Sequence, residues 1–307
     1  MKIPLWVAGI GFAVMLTAAA RGTDKPEGAH IRGIAGVRMY TSDIRAARKF
    51  YQDITETGRS CDWCETQAPS AFRLPSGQFI LLSYVHRYDG KDMLAEVSFD
   101  VQDLEELEKI FKKYKIKHES DRRTGVLTMV RAQDPEGHQL AFLDLEAARK
   151  YHAYYPKNTQ DSALKEKILH AGFVVKDRER MDQFYKDVLG FHVYWHGGMH
   201  DDETNWVDMQ VPEGTDWIEY MLGVPENASQ HTLGVMNHIA LGVPSVEAAA
   251  EQLRKNGRKL AEPPKIGRDG KWQLNLYDPD ETRVEFMEFT PIERPCCSEY
   301  AGQHPVP

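Results

Sequence analysis

KILHAGFVV (167–175), DWIEYML (216–222), NHIALGV (237–243) and TRVEFMEF (282–289) are four short apolar runs, and each carries a residue able to ligate a metal: His170, Glu219, His238 and Glu285. The steps between these residues are 49, 19 and 47 positions (170 to 219, 219 to 238, 238 to 285). Apolar runs of this length, rich in β-branched and aromatic residues, predict strands. A strand sends alternate side chains to opposite faces, so His170 shares a face with Ile168 and Gly172, and His238 with Ala240 and Gly242. Small neighbours leave room for an ion and a ligand beside them. Two neutral imidazoles and two carboxylates form a ligand set for a borderline divalent cation. A single His or Glu on a strand is more often hydrogen-bonded locally or turned to solvent; four in successive strand runs point to a metal. Glu288 rivals Glu285, but lies three residues on and faces the other way unless a bulge intervenes.

Outward from this stretch the pattern is strand–helix–strand–strand–strand, four times over. The first unit opens with a strand at 34–40, followed by a helix with Ile44, Ala47, Tyr51 and Ile54 on one stripe. The second opens at 94–101, and its helix carries Leu104, Leu107, Phe111 and Tyr114. The third and fourth open on the His170 and His238 strands. Internal repetition agrees: FYQDI at 50 matches FYKDV at 184, and DPEGHQLAF at 134 matches DPDETRVEF at 278. Through these matches His170 falls opposite Gly36 and Glu285 opposite Ala141; Glu219 meets Leu81 or Leu82, and His238 falls near Glu96. The first half therefore lacks the ligand set and is expected to be metal-free. The expected organisation is a signal peptide at 1–20, linker at 21–31, a metal-free domain at 32–146, linker at 147–164, a metal-binding domain at 165–290 and a surface tail at 291–307.

HAGFVVKDRERMDQFYKDVLGF, WIEYMLG, NHIALGV and YDPDETRVEF, in that order, resemble the vicinal oxygen chelate superfamily, which includes glyoxalase I, type I extradiol dioxygenases and fosfomycin or bleomycin resistance proteins. The order His, Glu, His, Glu is most similar to glyoxalase I. The resemblance implies an α+β fold in which four βαβββ modules pair into two curved-sheet half-barrels. Swapped pairing of modules would split the four ligands between two incomplete sites, so pairing of third with fourth is expected. The resemblance also implies one divalent ion (Zn, Ni, Mn or Fe) and a small-molecule substrate with adjacent oxygens.

Two Glu and two neutral His balance a divalent ion and leave two of six octahedral positions for water or substrate. Such a site stabilises the anion formed when a proton leaves a carbon next to a carbonyl. In glyoxalase I the base role belongs to the glutamates matching Glu219 and Glu285, which gives the first reading: a glyoxalase-like lyase or isomerase. His192, Tyr194 and His196 share a predicted strand face, which makes His196 a further acid–base candidate beside its plainer reading as a half-exposed strand histidine. Two departures stand against glyoxalase I. The turn glycine usual after DPD is Glu281, and an exported protein meets little glutathione. The second reading is an extradiol Fe(II) dioxygenase with His170, His238 and Glu285 as its triad; GKWQLNLYDPD lacks that family's extra His before the final Tyr. The third is a non-catalytic binder of a drug or metabolite.

The rest of the sequence sets bounds. The 307 residues suffice for two filled cores, and 42% apolar with 27% charged residues is ordinary for a globular protein. A net charge of −8 argues against a nucleic-acid partner. Lys2, the apolar run Ile3–Ala20 and Ala18-Ala19-Ala20 predict an export signal and a periplasmic or secreted protein, with an uncleaved membrane anchor as the alternative. Cys61, Cys64, Cys296 and Cys297 allow three disulfide pairings, and are read as structural or free. The assembly expected is a monomer or homodimer.

Overall fold

The computed structural model describes residues 28–55, 70–86, 93–122, 128–150 and 166–307. The predicted signal peptide, most of both linkers, and Cys61 and Cys64 lie outside the described residues. The first half contains β1 (Ile31–Thr41), α1 (Ile44–Thr55), β2 (Ser70–Arg73), β3 (Phe79–Tyr84), β4 (Leu94–Val101), α2 (Leu104–Lys113), β5 (His118–Asp121), β6 (Met129–Gln133), β7 (Gln139–Leu143) and α3 (Leu145–Lys150). The second contains β8 (Lys167–Val174), α4 (Arg178–Asp182, continued by a π-helical turn Gln183–Val188), β9 (His192–Gly197), β10 (Trp206–Gln210) and β11 (Trp217–Met221). It continues with α5 (Gln230–Met236), β12 (His238–Gly242), α6 (Val246–Lys255), β13 (Lys265–Ile266), β14 (Trp272–Tyr277) and β15 (Arg283–Met287).

Two mixed sheets result. Seven strands run β2-β3-β1-β4-β7-β6-β5, and eight run β13-β14-β15-β12-β8-β11-β10-β9. Antiparallel pairing of β1 with β4, and of β8 with β12, joins the modules within each half. The fold is α+β with two curved sheets, and all four candidate ligands fall on the middle strands of the larger one. Helices start where the caps predict: Asp103 accepts from two backbone amides at the head of α2, and Ser245 from Ala248 at the head of α6. Glu288 takes the other face of its strand's extension, as alternation demands, and accepts from the Val246 amide at the same helix head.

One apolar core runs through both halves, and reciprocal polar contacts lock them. Gln78 bonds both backbone groups of Ile168, and Asp216 accepts from the Ile34 amide. Ile34 and Ile168 are equivalent in the repeat, so each half pins the first strand of the other. The repeated motifs cross over the same way. Tyr51 of FYQDI donates to Asp278 of DPDETRVEF, and Tyr185 of FYKDV donates to Asp134 of DPEGHQLAF, each at 3.2 Å. The two motifs found in each half are therefore the two sides of one interlock.

The tail is more than a surface strap. Ala301 donates to the Tyr194 carbonyl, and Gln210 donates to the Gln303 carbonyl. Tyr300 sits against Tyr194, and Cys296 is disulfide-bonded to Cys297. Tyr300 and His304 anchor the Pro-rich segment against Tyr194 where composition alone suggests a loose end. Among the described residues no helix is long and apolar enough to cross a membrane.

Candidate metal centre

Four adjacent strands, β11, β8, β12 and β15, bring the ligands together. In one row across them Trp217 stands opposite His170, His170 opposite Ala240, and Ala240 beside Glu285. In the next row Glu219 and His238 flank Gly172. Gly172 is required there: a Cβ would collide with the His238 ring. The small neighbours that the sequence places beside the histidines are what let the rings meet.

His170 Nε2 lies 3.0 Å from His238 Nε2 and 3.7 Å from Glu219 Oε2. Glu219 Oε2 is 3.2 Å from His238 Nε2, and Glu285 Oε2 is 3.8 Å from His170 Nε2. Donors bound about 2.0–2.2 Å from one ion stand about 3–4 Å from each other, so the spacings of His170, Glu219 and His238 fit a shared divalent cation, while Glu285 approaches this trio at His170 and is not drawn into it. His238 Nδ1 donates to the Met236 carbonyl at 2.9 Å, which puts the ring's lone pair on Nε2, the atom that faces the cluster. Burial lowers both histidines well below their ordinary range, holding them neutral, as ligands must be. Burial also pushes Glu285 up to about 7.

Around the ligands lies charged machinery that the sequence reading did not single out. Asp208 stands opposite Glu219 in the sheet, and Asp269 precedes β14. Burial raises Asp208 well above the carboxylate range and Asp269 to about 6. Lys271 is fully buried, its Nζ 4.6 Å from the Trp217 ring and 5.2 Å from those of Tyr194 and Tyr300. Arg283 donates to His238 Nε2 at 2.7 Å. Four carboxylates (Asp208, Glu219, Asp269, Glu285) crowd around two cations (Lys271, Arg283), and burial with mutual repulsion raises Asp208, Asp269 and Glu285, a penalty that a bound cation would relieve. The donor set and the tautomer lock fit a divalent metal. Arg283 was legible, since it lies two residues before Glu285 and so shares its face. Lys271 was not, because nothing in GKWQL marks a lysine as buried.

His196 is not brought to this cluster. A register shift between β9 and β10 pairs Trp195 with Asp208 and Val193 with Met209, leaving Tyr194 as an extra residue. The alternation of His192, Tyr194 and His196 is thereby broken. His192 faces Gln210, while His196 stands opposite Val207, and its backbone amide donates to the Ser298 hydroxyl.

The first half shows what the same positions look like without ligands. Gly36 pairs with Ser98, Ser98 with Ala141, and Arg38 with both Glu96 and Leu81. These are the register equivalents of His170, Ala240, Glu285 and the Gly172 row. Glu96 there is held by Arg38 at 3.6 Å and Arg131 at 3.4 Å. Among the described residues, the clusters that bring three ligating atoms together are His170–Glu219–His238 and, around the disulfide, Asp201–Cys296–Cys297.

Residues 167–286 match the model of the Glyoxalase/Bleomycin resistance protein/Dioxygenase superfamily. The fold is similar to that of a catechol 2,3-dioxygenase (TM-score 0.63, 17% identity, covering 90% of this chain and 95% of that one). It is also similar to an extradiol ring-cleaving dioxygenase from B. fuscum (TM-score 0.61, 18% identity, 85% and 72% covered). A 2,3-dioxygenase from Pseudomonas sp. KL28 has a TM-score of 0.59 at 15% identity, with 91% and 94% covered. At these identities the likeness shows the fold, the vicinal oxygen chelate fold. No curated protein matches the sequence.

Proposed function

We propose that this chain of vicinal oxygen chelate fold is a metal-dependent enzyme acting on a small molecule with adjacent oxygens, by glyoxalase-like proton transfer at a carbon next to a carbonyl. The observation that carries this reading is Glu219, whose carboxylate lies within 3.2 Å of His238 Nε2 and 3.7 Å of His170 Nε2. A divalent ion on His170, His238, Glu219 and Glu285 supplies Lewis-acid polarisation of the substrate oxygens. The protein's own groups do the rest. Glu219 has the more solvent-exposed carboxylate of the pair and takes the proton from carbon; Glu285, buried deeper, gives a proton of its own to the neighbouring atom, and exchange with water then deprotonates Glu219 and reprotonates Glu285. Trp217 packs against His170 and keeps bulk water from that side of the ring. Export through the N-terminal segment belongs to the same proposal, with the mature chain beginning near Arg21.

A second reading, ring-cleaving dioxygenase chemistry on His170, His238 and Glu285, is favoured by the fold shared with extradiol enzymes over most of the chain. One experiment separates them. The purified protein is loaded with Zn, Ni, Mn or Fe in turn. Solvent-deuterium exchange into α-hydroxycarbonyl compounds is then followed under nitrogen, and oxygen uptake with catechols in air. Exchange without oxygen uptake supports proton transfer; catechol-dependent oxygen uptake replaces it with the dioxygenase.

A further inference from the structure

The tail crosses the second half-barrel on the side where Lys271 is buried, and it is fastened at two places with the disulfide between them. Upstream, Ile292 and Glu293 donate to the Gly270 carbonyl, and Cys296 donates to that of Arg268. Downstream, the Ser298 hydroxyl bonds both the amide and the carbonyl of His196, and Ala301 donates to Tyr194. Tyr300 donates to the Asp269 carbonyl at 2.8 Å and forms one wall of the aromatic box around Lys271, and His304 meets the Tyr194 hydroxyl. At the joint, Trp195 Nε1 donates to the Cys296 carbonyl, and Cys297 holds φ at +69°, a left-handed conformation uncommon for an L residue. The ring closed by the adjacent cysteines restricts the backbone at this point.

We infer that Cys296–Cys297 is a thiol–disulfide exchange site whose redox state sets how firmly the tail, and with it the Tyr300 wall of the Lys271 box, is seated on the metal half-barrel. Cys297 is exposed and Cys296 half-buried, so an incoming thiolate attacks Cys297 Sγ. The S–S bond breaks and its electron pair leaves on Cys296 Sγ. The second thiol of a dithiol reductant then attacks the mixed disulfide and is itself oxidised to a disulfide, and both cysteines end as thiols or thiolates. Arg268 Nη2 lies 3.7 Å from Cys297 Sγ and favours the thiolate released there. Once the ring opens, Cys297 no longer has to hold its left-handed φ, and the upstream and downstream fastenings become independent of each other.

The test uses the full chain carrying Cys61→Ser and Cys64→Ser, so that a single pair responds. Dithiothreitol is added under native conditions. Mass spectrometry of an alkylated aliquot counts the opened cysteines, while amide hydrogen exchange is read on the unalkylated protein. The expected result is two thiols and exchange about tenfold faster across 291–307, with the β8 and β12 amides unchanged. Adding Cys297→Ser to the same background gives the faster tail exchange without reductant and no further response to it. A pair that resists dithiothreitol in the folded protein, or an opened pair with unchanged tail exchange, overturns the inference.

Discussion

The two halves share a fold and differ in two neighbouring rows of side chains. Where the second half has His170, Glu219, His238 and Glu285 converging on its middle strands, the first has Gly36, Leu81, Glu96 and Ala141. The glycine against the ring shows the trade most clearly. Gly172 leaves space that the His238 imidazole fills, whereas Gly36 leaves space that the Phe79 ring fills. The same backbone thus makes a candidate metal pocket in one copy and an apolar plug with a partly buried ion pair in the other. On the proposed function, metal chemistry would be a property of these few side chains and the small residues between them, carried on a scaffold that the first half builds without them.

The comparison predicts that metal follows the second half alone. His238→Ala removes an imidazole whose tautomer is fixed by Met236, and is expected to abolish metal retained through dialysis, measured by elemental analysis. Glu96→Ala, its register equivalent, leaves metal content at about one per chain. Equal losses from the two variants would refute the assignment of the site. Glu219→Gln keeps the shape and an oxygen donor but loses most of the basicity. Turnover is expected to fall by a factor on the order of 10²–10⁴ while metal stays bound. Near-normal turnover in that variant would favour the dioxygenase triad, in which Glu285 is the damaging position.

Much of this was readable before any coordinates, for physical reasons. Period-two alternation fixes which residues share a face, so the ligand rows and their small neighbours followed from spacing. The half-to-half matches located Gly36 and Ala141, and the register agrees with both. What alternation could not carry was any place where it breaks. The irregularity at Val193–Trp195 separates His192 from His196, and no residue type announces it. Lys271 was invisible for a different reason. A lysine is normally read as surface, and only three-dimensional packing of Tyr194, Trp217 and Tyr300 makes a buried ammonium tolerable.

Arg283 sharpens the contrast further. Its guanidinium donates into the lone pair of His238 Nε2 that a metal uses, and it carries like charge. Arg283→Met should therefore tighten metal binding, by up to about tenfold, in a chelator-competition titration, since the charge removed is partly screened. Weaker binding would mean that Arg283 supports the ligands instead of competing with the ion. Gly172→Ala and Gly36→Ala are packing variants of one glycine in each half, although Arg38, not Gly36, is the register equivalent of Gly172. Both place a Cβ against a ring and should each cost about 1–3 kcal/mol in urea unfolding. Only Gly172→Ala should also lower metal content.

The smallest expected effect concerns the interlock that joins the halves. Tyr51 donates to Asp278 Oδ2 across the junction, and Asp278 also accepts from the amides of Asp280 and Thr282. Burial, with the neighbouring charge of Asp280, outweighs the amide hydrogen bonds and Tyr51 and leaves the Asp278 carboxyl raised to about 7. A carboxyl raised above its unfolded value of about 3.9 binds more protons in the native state between the two values, so its contribution to stability falls as pH rises through that window. Above it, the buried carboxylate depends on its donors. Tyr51→Phe deletes one of them, and should cost about 1–1.5 kcal/mol at about pH 8 but less at about pH 5, where Asp278 is protonated. Urea titrations at the two pH values read the difference directly. A cost independent of pH would show that the Tyr51 ring packing, and not its hydrogen bond to Asp278, is what holds that side of the interlock.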